Sequence, residues 1–364
     1  MLGDRIKQAR IAAGLSQEAL AKQAGVSTMA ISKYERDAMN PGSEVLLKMA
    51  GALHVRTEYF FRTVELDISE PDFRKDKKLT LSEQARVIAQ MREAVERWVE
   101  LEDLTPTHWS KTFLVPNGLK DEIDNFDDIE DVAECIRNAW GLGTQPISDL
   151  SDLLERQGIK VFMLSYDAGK RWDGLVAKAN GQPVVVVGSD WPGDRQRFTL
   201  AHELGHLVLH GRLSGQLGGD EDKEELACHR FAGAFLMPKS AVIEQFGRKR
   251  SWIEPAELLH AKLEWGLSMS ATIYRARDAG VLTKANAGKM FGFFKKNKWL
   301  AKEPGPQLEP ESPSGFEQFV YRALAEDKIS ESKAAELMSL SLVKFRTVRR
   351  VAGGEPDDNA AADQ

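Results

Sequence analysis

The chain has 364 residues, more than the roughly 100 to 200 of one ordinary domain, so two or three domains are expected. A net charge of -6 excludes a chain that is polybasic throughout, and two distant cysteines, Cys135 and Cys228, exclude a disulfide scaffold and a cysteine-type zinc finger. No apolar run is long enough to span a bilayer, and the start MLGDRIKQAR lacks an apolar leader core, which reads as a cytoplasmic protein. The charge is unevenly spread. Residues 1 to 62 hold nine Lys and Arg against six Asp and Glu, a net of +3, which leaves -9 for the remainder.

Residues 4 to 62 read as short helices punctuated by Gly14, Gly25 and the Asn40-Pro41-Gly42 turn, with Ser16 and Ser27 at N-cap positions. Within them SQEALAKQAGVSTMAISKYER, residues 16 to 36, has helix-turn-helix form. Leu20 and Ala21 face inward on a first helix, Gly25 supplies the left-handed turn residue, and Val26 and Ile31 pack a second helix on the first. Gln17, Thr28, Met29, Ser32 and Lys33 are left facing outward, and the N-terminal residues of a second helix are the ones that meet base edges in a major groove. The stretch resembles the XRE/Cro-type helix-turn-helix family through its SQEALA, AGVS and ISKYERDAMNP elements. That resemblance implies reading positions at Gln17, Thr28, Met29 and Lys33, with Ser32 and Arg36 near the phosphate backbone. It also implies a double-stranded DNA operator as partner. A charge of +3 neutralises few phosphates, so a homodimer, which doubles the footprint, is expected.

Ile88, Met91, Val95 and Trp98 recur at intervals of three and four, which predicts one long amphipathic helix over 81 to 102. It serves as a spacer, a dimer seam or a helix packed on its own domain. Residues 102 to 131, with nine acids against two lysines, read as an exposed linker and subdomain edge. From Pro146 the pattern becomes α+β: a helix over 149 to 157, strands over 160 to 164, 174 to 178 and 183 to 187, and a helix from Pro192 to His210 closed by Gly211.

The last of these helices carries FTLAHELGHLVLHG. His202 and His206 lie one turn apart on one face, so both imidazoles reach a single ion, and Glu203 beside the first ligand is placed to take a proton from its water. Two histidines leave such a site one protein ligand short. His210 stands about 12 Å along the helix from His202, too far to share the ion. It reads as a helix C-terminal dipole partner or a substrate-side contact. Carboxylates of the following KEELACHRFAGAFLMP helix are better placed: Glu225, which would share a side with Cys228 and His229, or Glu224. A Cys228 thiolate is a further alternative.

The run RQRFTLAHELGHLVLHG followed by ELACHRFAGAFLMP resembles the ImmA/IrrE family of bacterial zinc-dependent peptidases, over roughly residues 145 to 240. The resemblance implies that Glu225 is the third ligand beside His202 and His206, that Glu203 is the catalytic base, and that the cofactor is Zn2+; two histidines and one carboxylate suit Zn2+ best and also admit Mn2+ or Fe2+. It departs where His229 stands in place of a common Asn. It further implies that the substrate is a helix-turn-helix repressor, or the chain itself, whose cleavage switches transcription.

The expected fold class is therefore multidomain. An all-α helix-turn-helix domain (1–65) is followed by the long helix and acidic linker (66–140), an α+β zincin-like HExxH domain (141–245), a mostly α C-terminal region (246–352) and a disordered tail (353–364). MFGFFKKNKWLAK, from Met290 to Lys302, is basic and aromatic, a composition that suits nucleic-acid contact, and reads first as an exposed, lysine-flanked helix or a partner contact. SMSATIYRARDAGVL and ISESKAAELMSLSLVKFR also have helix-turn-helix character, without an assignable role. Two rival readings of the whole are a non-proteolytic repressor or antitoxin with a structural or sensory metal, and the toxin arm of a toxin-antitoxin pair.

Overall fold

The computed structural model describes residues 2–62, 66–69, 79–105, 111–165 and 172–352, which fall into two compact units. The expected tail at 353–364 lies outside the described residues. The first unit begins with α1 (Leu2–Ala12), α2 (Gln17–Ala24), α3 (Thr28–Glu35) and α4 (Ser43–Leu53), continues through a 3-10 turn (Thr57–Phe61), and reaches α5 (Leu81–Leu104). The second unit carries α6 (Phe126–Ala139), α7 (Leu150–Arg156), β1 (Lys160–Leu164), β2 (Gly174–Ala179), β3 (Gln182–Gly188), α8 (Gly193–Leu209), α9 (Glu221–Leu236), α10 (Lys239–Phe246), α11 (Pro255–Trp265), α12 (Met269–Asp278) and α13 (Lys284–Lys296). Helices α14 (Gly315–Ala325), α15 (Glu331–Leu337) and α16 (Leu342–Ala352) belong again to the first unit.

The sequence boundaries at 66–140 and 246–352 do not coincide with these units. Helix α5 joins the first and α6 the second, while residues 246 to 313 join the second and 314 to 352 the first. Burial is the reason. One stripe of α5, including Val87, Met91, Val95 and Val99, is buried in the first unit, and Leu101 shares a core with Phe319, Val320, Ala334 and Phe345. Two ion pairs reinforce this packing within the unit, Arg5 to Glu96 and Lys333 to Glu100. The stripe is thus spent on its own domain rather than on a dimer seam.

In the first unit Ile6, Leu20, Ala21, Ile31, Met49 and Phe60 form the core of the four short helices. The caps are those the sequence suggests. Ser16 accepts from the Ala19 amide at 3.0 Å, Ser27 from the Ala30 amide at 3.2 Å, and Gly25 takes φ 72° between them.

The second unit holds a three-stranded sheet in the order β1-β3-β2, with β1 parallel and β2 antiparallel to β3. The central strand is the apolar run PVVVV, and its four valines are fully buried. Helix α8 packs against β3 and β2 on one side and against α9 on another, and α9 packs against α6. Two buried arginines tie helices to backbone carbonyls. Arg137 on α6 donates to the Gly143, Gln145 and Phe235 carbonyls, and burial lowers its pKa to about 10. Arg275 on α12 donates to the Met237 carbonyl and forks onto Glu130. The aromatic residues of 290 to 302 turn partly inward, with Phe294 buried and Trp299 edge-on to Phe293 and Phe294. No helix among the described residues is long and apolar enough to cross a membrane.

Candidate metal centre and DNA-facing helix

Helix α8 presents Phe198, His202 and His206 at successive turns, and α9 presents Glu225 and His229 one turn apart. The His202 Nε2 and His206 Nε2 atoms lie 3.0 Å apart. Glu225 Oε1 is 3.2 Å from His206 Nε2, and its Oε2 is 3.5 Å from His202 Nε2. Donors held at about 2.0 to 2.1 Å around a tetrahedral ion sit about 3.3 Å from one another, so these three side chains fit a zinc-sized ion. His202 and Glu203 are buried.

Two glycines make the arrangement possible. A Cβ on Gly205 would stand 3.2 Å from Phe231 Cδ1 and 3.3 Å from the Cys228 Cα, so the glycine lets α9 approach closely enough for Glu225 to reach the histidines. A Cβ on Gly174 would meet the Val186 carbonyl oxygen at 2.8 Å and Thr199 Cγ2 at 2.9 Å, with Glu203 Oε1 at 3.7 Å, so the first residue of β2 lies directly behind Glu203.

The two acids weighed as third ligand take different places. Glu225 faces the Nε2 atoms, whereas Glu224 Oε1 is 3.6 Å from Nδ1 of His206, on the far side of the ring. Cys228 Sγ is 3.4 Å from the same Nδ1, so the thiol also stands on that far side. These contacts orient the His206 ring, which the sequence did not reveal. His229 lies beside the centre, on the side it shares with Glu225. Its ring lies 4.7 Å from that of His202, and one ligand atom each of His202, Glu225 and His229 falls within 4.8 Å of the others. His210 caps α8, giving its amide to the His206 carbonyl, and lines the cleft in front of the centre. That cleft is about 490 Å³ and is walled by β2 and residues 113 to 115.

On the first unit Thr28, Met29 and Lys33 are exposed on α3, Met29 at 68%, and Ser32 is half-buried. Gln17 differs from its expected outward role, since its amide donates to Glu35 Oε2 at 2.7 Å. Glu35 in turn holds Arg10 at 2.5 Å, so Gln17 is engaged in an internal network.

Residues 6–60 match the helix-turn-helix family, and residues 154–277 match the IrrE N-terminal-like domain. The chain joins a helix-turn-helix domain to an IrrE-like domain. The second match begins in α7 and ends in α12, so it contains the whole centre of α8 and α9. Among similar proteins, the HTH-type transcriptional regulator ImmR of Bacillus subtilis is 38% identical over 58 residues, covering 16% of this chain and 46% of that protein. An uncharacterized transcriptional regulator in the ATPase CF(0) region of Rhodospirillum rubrum is 42% identical over 64 residues, 18% of this chain and 59% of that protein. The radiation response metalloprotease IrrE of Deinococcus radiodurans is 36% identical over 73 residues, 18% of this chain and 22% of that protein. The chain thus spans less than two thirds of the length of each of these relatives. The IrrE-like domain implies a metal, and the donor set described above suits one.

Proposed function

We propose that this helix-turn-helix and IrrE-like fusion is a DNA-binding transcriptional regulator whose second unit is a zinc-dependent endopeptidase, cutting a helix-turn-helix repressor or its own head. The observation that carries the peptidase half is the meeting of His202 Nε2, His206 Nε2 and the Glu225 carboxylate within 3.0 to 3.5 Å, beside Glu203 and an open cleft. His202, His206 and Glu225 hold the ion, with Zn2+ the best match to two imidazoles and a carboxylate and Mn2+ the second. When bound, the ion supplies Lewis acidity toward the scissile carbonyl and toward water. Glu203 acts as general base, removing a proton from the attacking water and delivering it to the leaving amine. Cys228 and Glu224, on the Nδ1 side of His206, keep that ring turned toward the centre. The edge strand β2 walls the cleft, with Ser69 paired to it at Lys178, so an extended peptide can lie along its Gly174–Val176 portion.

Thr28, Met29, Ser32 and Lys33 read the operator from α3, with Gln17 supporting from α2, and a homodimer supplies two such helices. That one relative is named a metalloprotease and others transcriptional regulators supports this pairing of roles. The decisive experiment combines elemental analysis with a cleavage assay against helix-turn-helix proteins encoded beside this gene. Glu203→Gln should retain metal and DNA binding but lose cleavage, Glu225→Ala should lose metal, and Glu224→Ala should retain most of it. Full metal occupancy in Glu225→Ala would overturn the ligand assignment. If Glu203→Gln leaves every biological output intact while Thr28→Ala and Lys33→Ala abolish it, the chain is a non-proteolytic regulator with a sensory metal.

A further inference from the structure

The caps, turn and inward positions of α15–α16 follow those of α2–α3 at an offset of 314. Ser330 caps α15 by accepting from the Lys333 amide at 3.2 Å, as Ser16 caps α2 at Ala19. Ala334 and Ala335 are fully buried, like Leu20 and Ala21. Ser339 takes φ 56° where Gly25 takes 72°, and the next amide, that of Leu340, donates to the Ala335 carbonyl at 2.9 Å as Val26 donates to Ala21 at 3.0 Å. Ser341 then caps α16 at the Lys344 amide at 3.2 Å, matching Ser27 and Ala30 at the same distance. Phe345 is fully buried in the place of Ile31, and Val343, 75% exposed, stands in the place of Met29. The amino acids differ almost throughout, but caps, turn and inward positions coincide.

A corner of this kind is not by itself a reader of nucleic acid. Gly266 and Ser268 make a similar one between α11 and α12, but there the second helix is spent on the core. Met269, Thr272, Ile273 and Arg275 of α12 are buried, and Arg275 is forked onto Glu130. Helix α16 is the opposite case. Its described face carries Lys344, Arg346, Arg349 and Arg350, all exposed, and the helix has no acid of its own. Glu331 on α15, at the position of Gln17, pairs with Arg346 at 2.7 Å and Arg349 at 3.3 Å. Exposed pairs of this sort are worth little and can be exchanged for phosphate oxygens.

We infer that residues 330–350 form a second helix-turn-helix, which lays α16 into double-stranded DNA with Val343 and Thr347 toward the bases and Lys344, Arg346, Arg349 and Arg350 toward the phosphates. The inference rests on reading α2–α3 as a DNA contact, because the geometry is transferred from it. It gives one protomer two DNA-contacting helices. The pair is anchored within the first unit, where Arg97 donates to the Leu337 carbonyl at 3.1 Å and to Ser339 Oγ at 2.6 Å and Arg56 donates to the Leu340 carbonyl at 3.4 Å.

The test uses the full chain and two probes, a 40-base-pair duplex of arbitrary fixed sequence and the best duplex selected from a randomised 40-base-pair pool, each titrated across a salt series. Lys344→Ala/Arg350→Ala should weaken binding to the arbitrary duplex at least tenfold and flatten the slope of log K against log salt by about 1.8, the loss of two phosphate contacts. Val343→Glu should weaken the selected duplex more than the arbitrary one. Both changes lie on exposed positions, and an unchanged melting temperature shows that the fold persists. Unchanged affinity and slope in the Lys344/Arg350 pair overturns the second site. Thr28→Ala/Lys33→Ala, measured in parallel, separates the two readings: if it alone abolishes binding, the head reads DNA and α16 does not. Should the wild-type chain bind neither duplex, both readings fall.

Discussion

Gly205→Ala tests whether the α8–α9 spacing sets the metal centre. The added methyl would lie 3.2 Å from Phe231 Cδ1, 3.3 Å from the Cys228 Cα and 3.4 Å from its Cβ. Ordinary carbon contacts lie at about 3.5 to 4.0 Å, so α9 must retreat by a few tenths of an ångström. Neither neighbour can swing aside, because Phe231 and Cys228 are fully buried. Overpacking of this kind costs about 1 to 3 kcal/mol, and replacing a mid-helix glycine by alanine returns about 1 kcal/mol, so the net loss is at most about 2 kcal/mol. For a unit of this size each kcal/mol is about 2 to 4 °C of melting temperature. Stability should therefore fall modestly. Metal affinity should fall further, about tenfold or more, since Glu225 is one turn from Cys228 on the helix that moves and closes on His206 at 3.2 Å. Thermal melts of metal-free protein and zinc titrations against a chromophoric chelator separate the two effects. A variant stabilised by about 1 kcal/mol with unchanged zinc affinity would show that Gly205 does not set the spacing.

Three further outcomes follow from the packing. Burial, reinforced by the Glu93 and Glu96 carboxylates against an opposing Arg5, raises the Tyr59 phenol from 10.0 to about 12. The folded chain therefore holds this proton to higher pH than the unfolded chain. The stabilisation is fully present below pH 10 and is lost as pH rises toward about 12, at about 1.4 kcal/mol per unit. Tyr59→Phe should remove that part of the alkaline loss in urea melts between pH 9 and 11.5, and an unchanged profile would refute the assignment. Glu130→Ala leaves the buried Arg275 guanidinium without its carboxylate, while the half-buried Arg230 keeps Asp278, and should cost about 3 to 5 kcal/mol, with Arg275→Met in the same chain recovering part of it in a double-mutant cycle. Phe345→Ala should cost about 3 to 5 kcal/mol by opening a cavity among Leu101, Val320 and Leu337, measured by denaturant unfolding, and a loss below 1 kcal/mol would contradict that core.

Much of the first unit and of the central helix was legible because its signals are local. Serine caps, a left-handed glycine and inward residues at helical spacing specify α2 and α3 without reference to distant residues, and the i, i+4 histidines of α8 share a face wherever that helix sits. The strands read at 160–164, 174–178 and 183–187 were legible for the same reason, as apolar runs bounded by turns, and each falls within one residue of its observed bounds. The helix over 81 to 104 was legible as an element but not in its role, since periodicity shows that a stripe must be buried and not what buries it.

Other features depend on chain segments that meet only after folding. From spacing Glu225 and Glu224 were rivals. The rotation of α9 against α8, allowed by the missing side chain at Gly205, sends one to the Nε2 side of His206 and the other to the Nδ1 side. A glycine inside a helix costs about 1 kcal/mol and so signals a packing reason, but the sequence cannot say which helix it admits. Gln17 likewise looked outward until Glu35, 18 residues later, accepted its amide. The sequence alone determined the local vocabulary, one corner with serine caps at Ser16 and Ser27 and one HExxH helix, because caps, turns and helical periodicity are interactions between near neighbours. Only the tertiary structure decided which acid faces the histidines, that α5 is buried in its own unit, and that α16 leaves four cations exposed while α12 buries Arg275, because burial belongs to surfaces assembled from residues far apart in the chain.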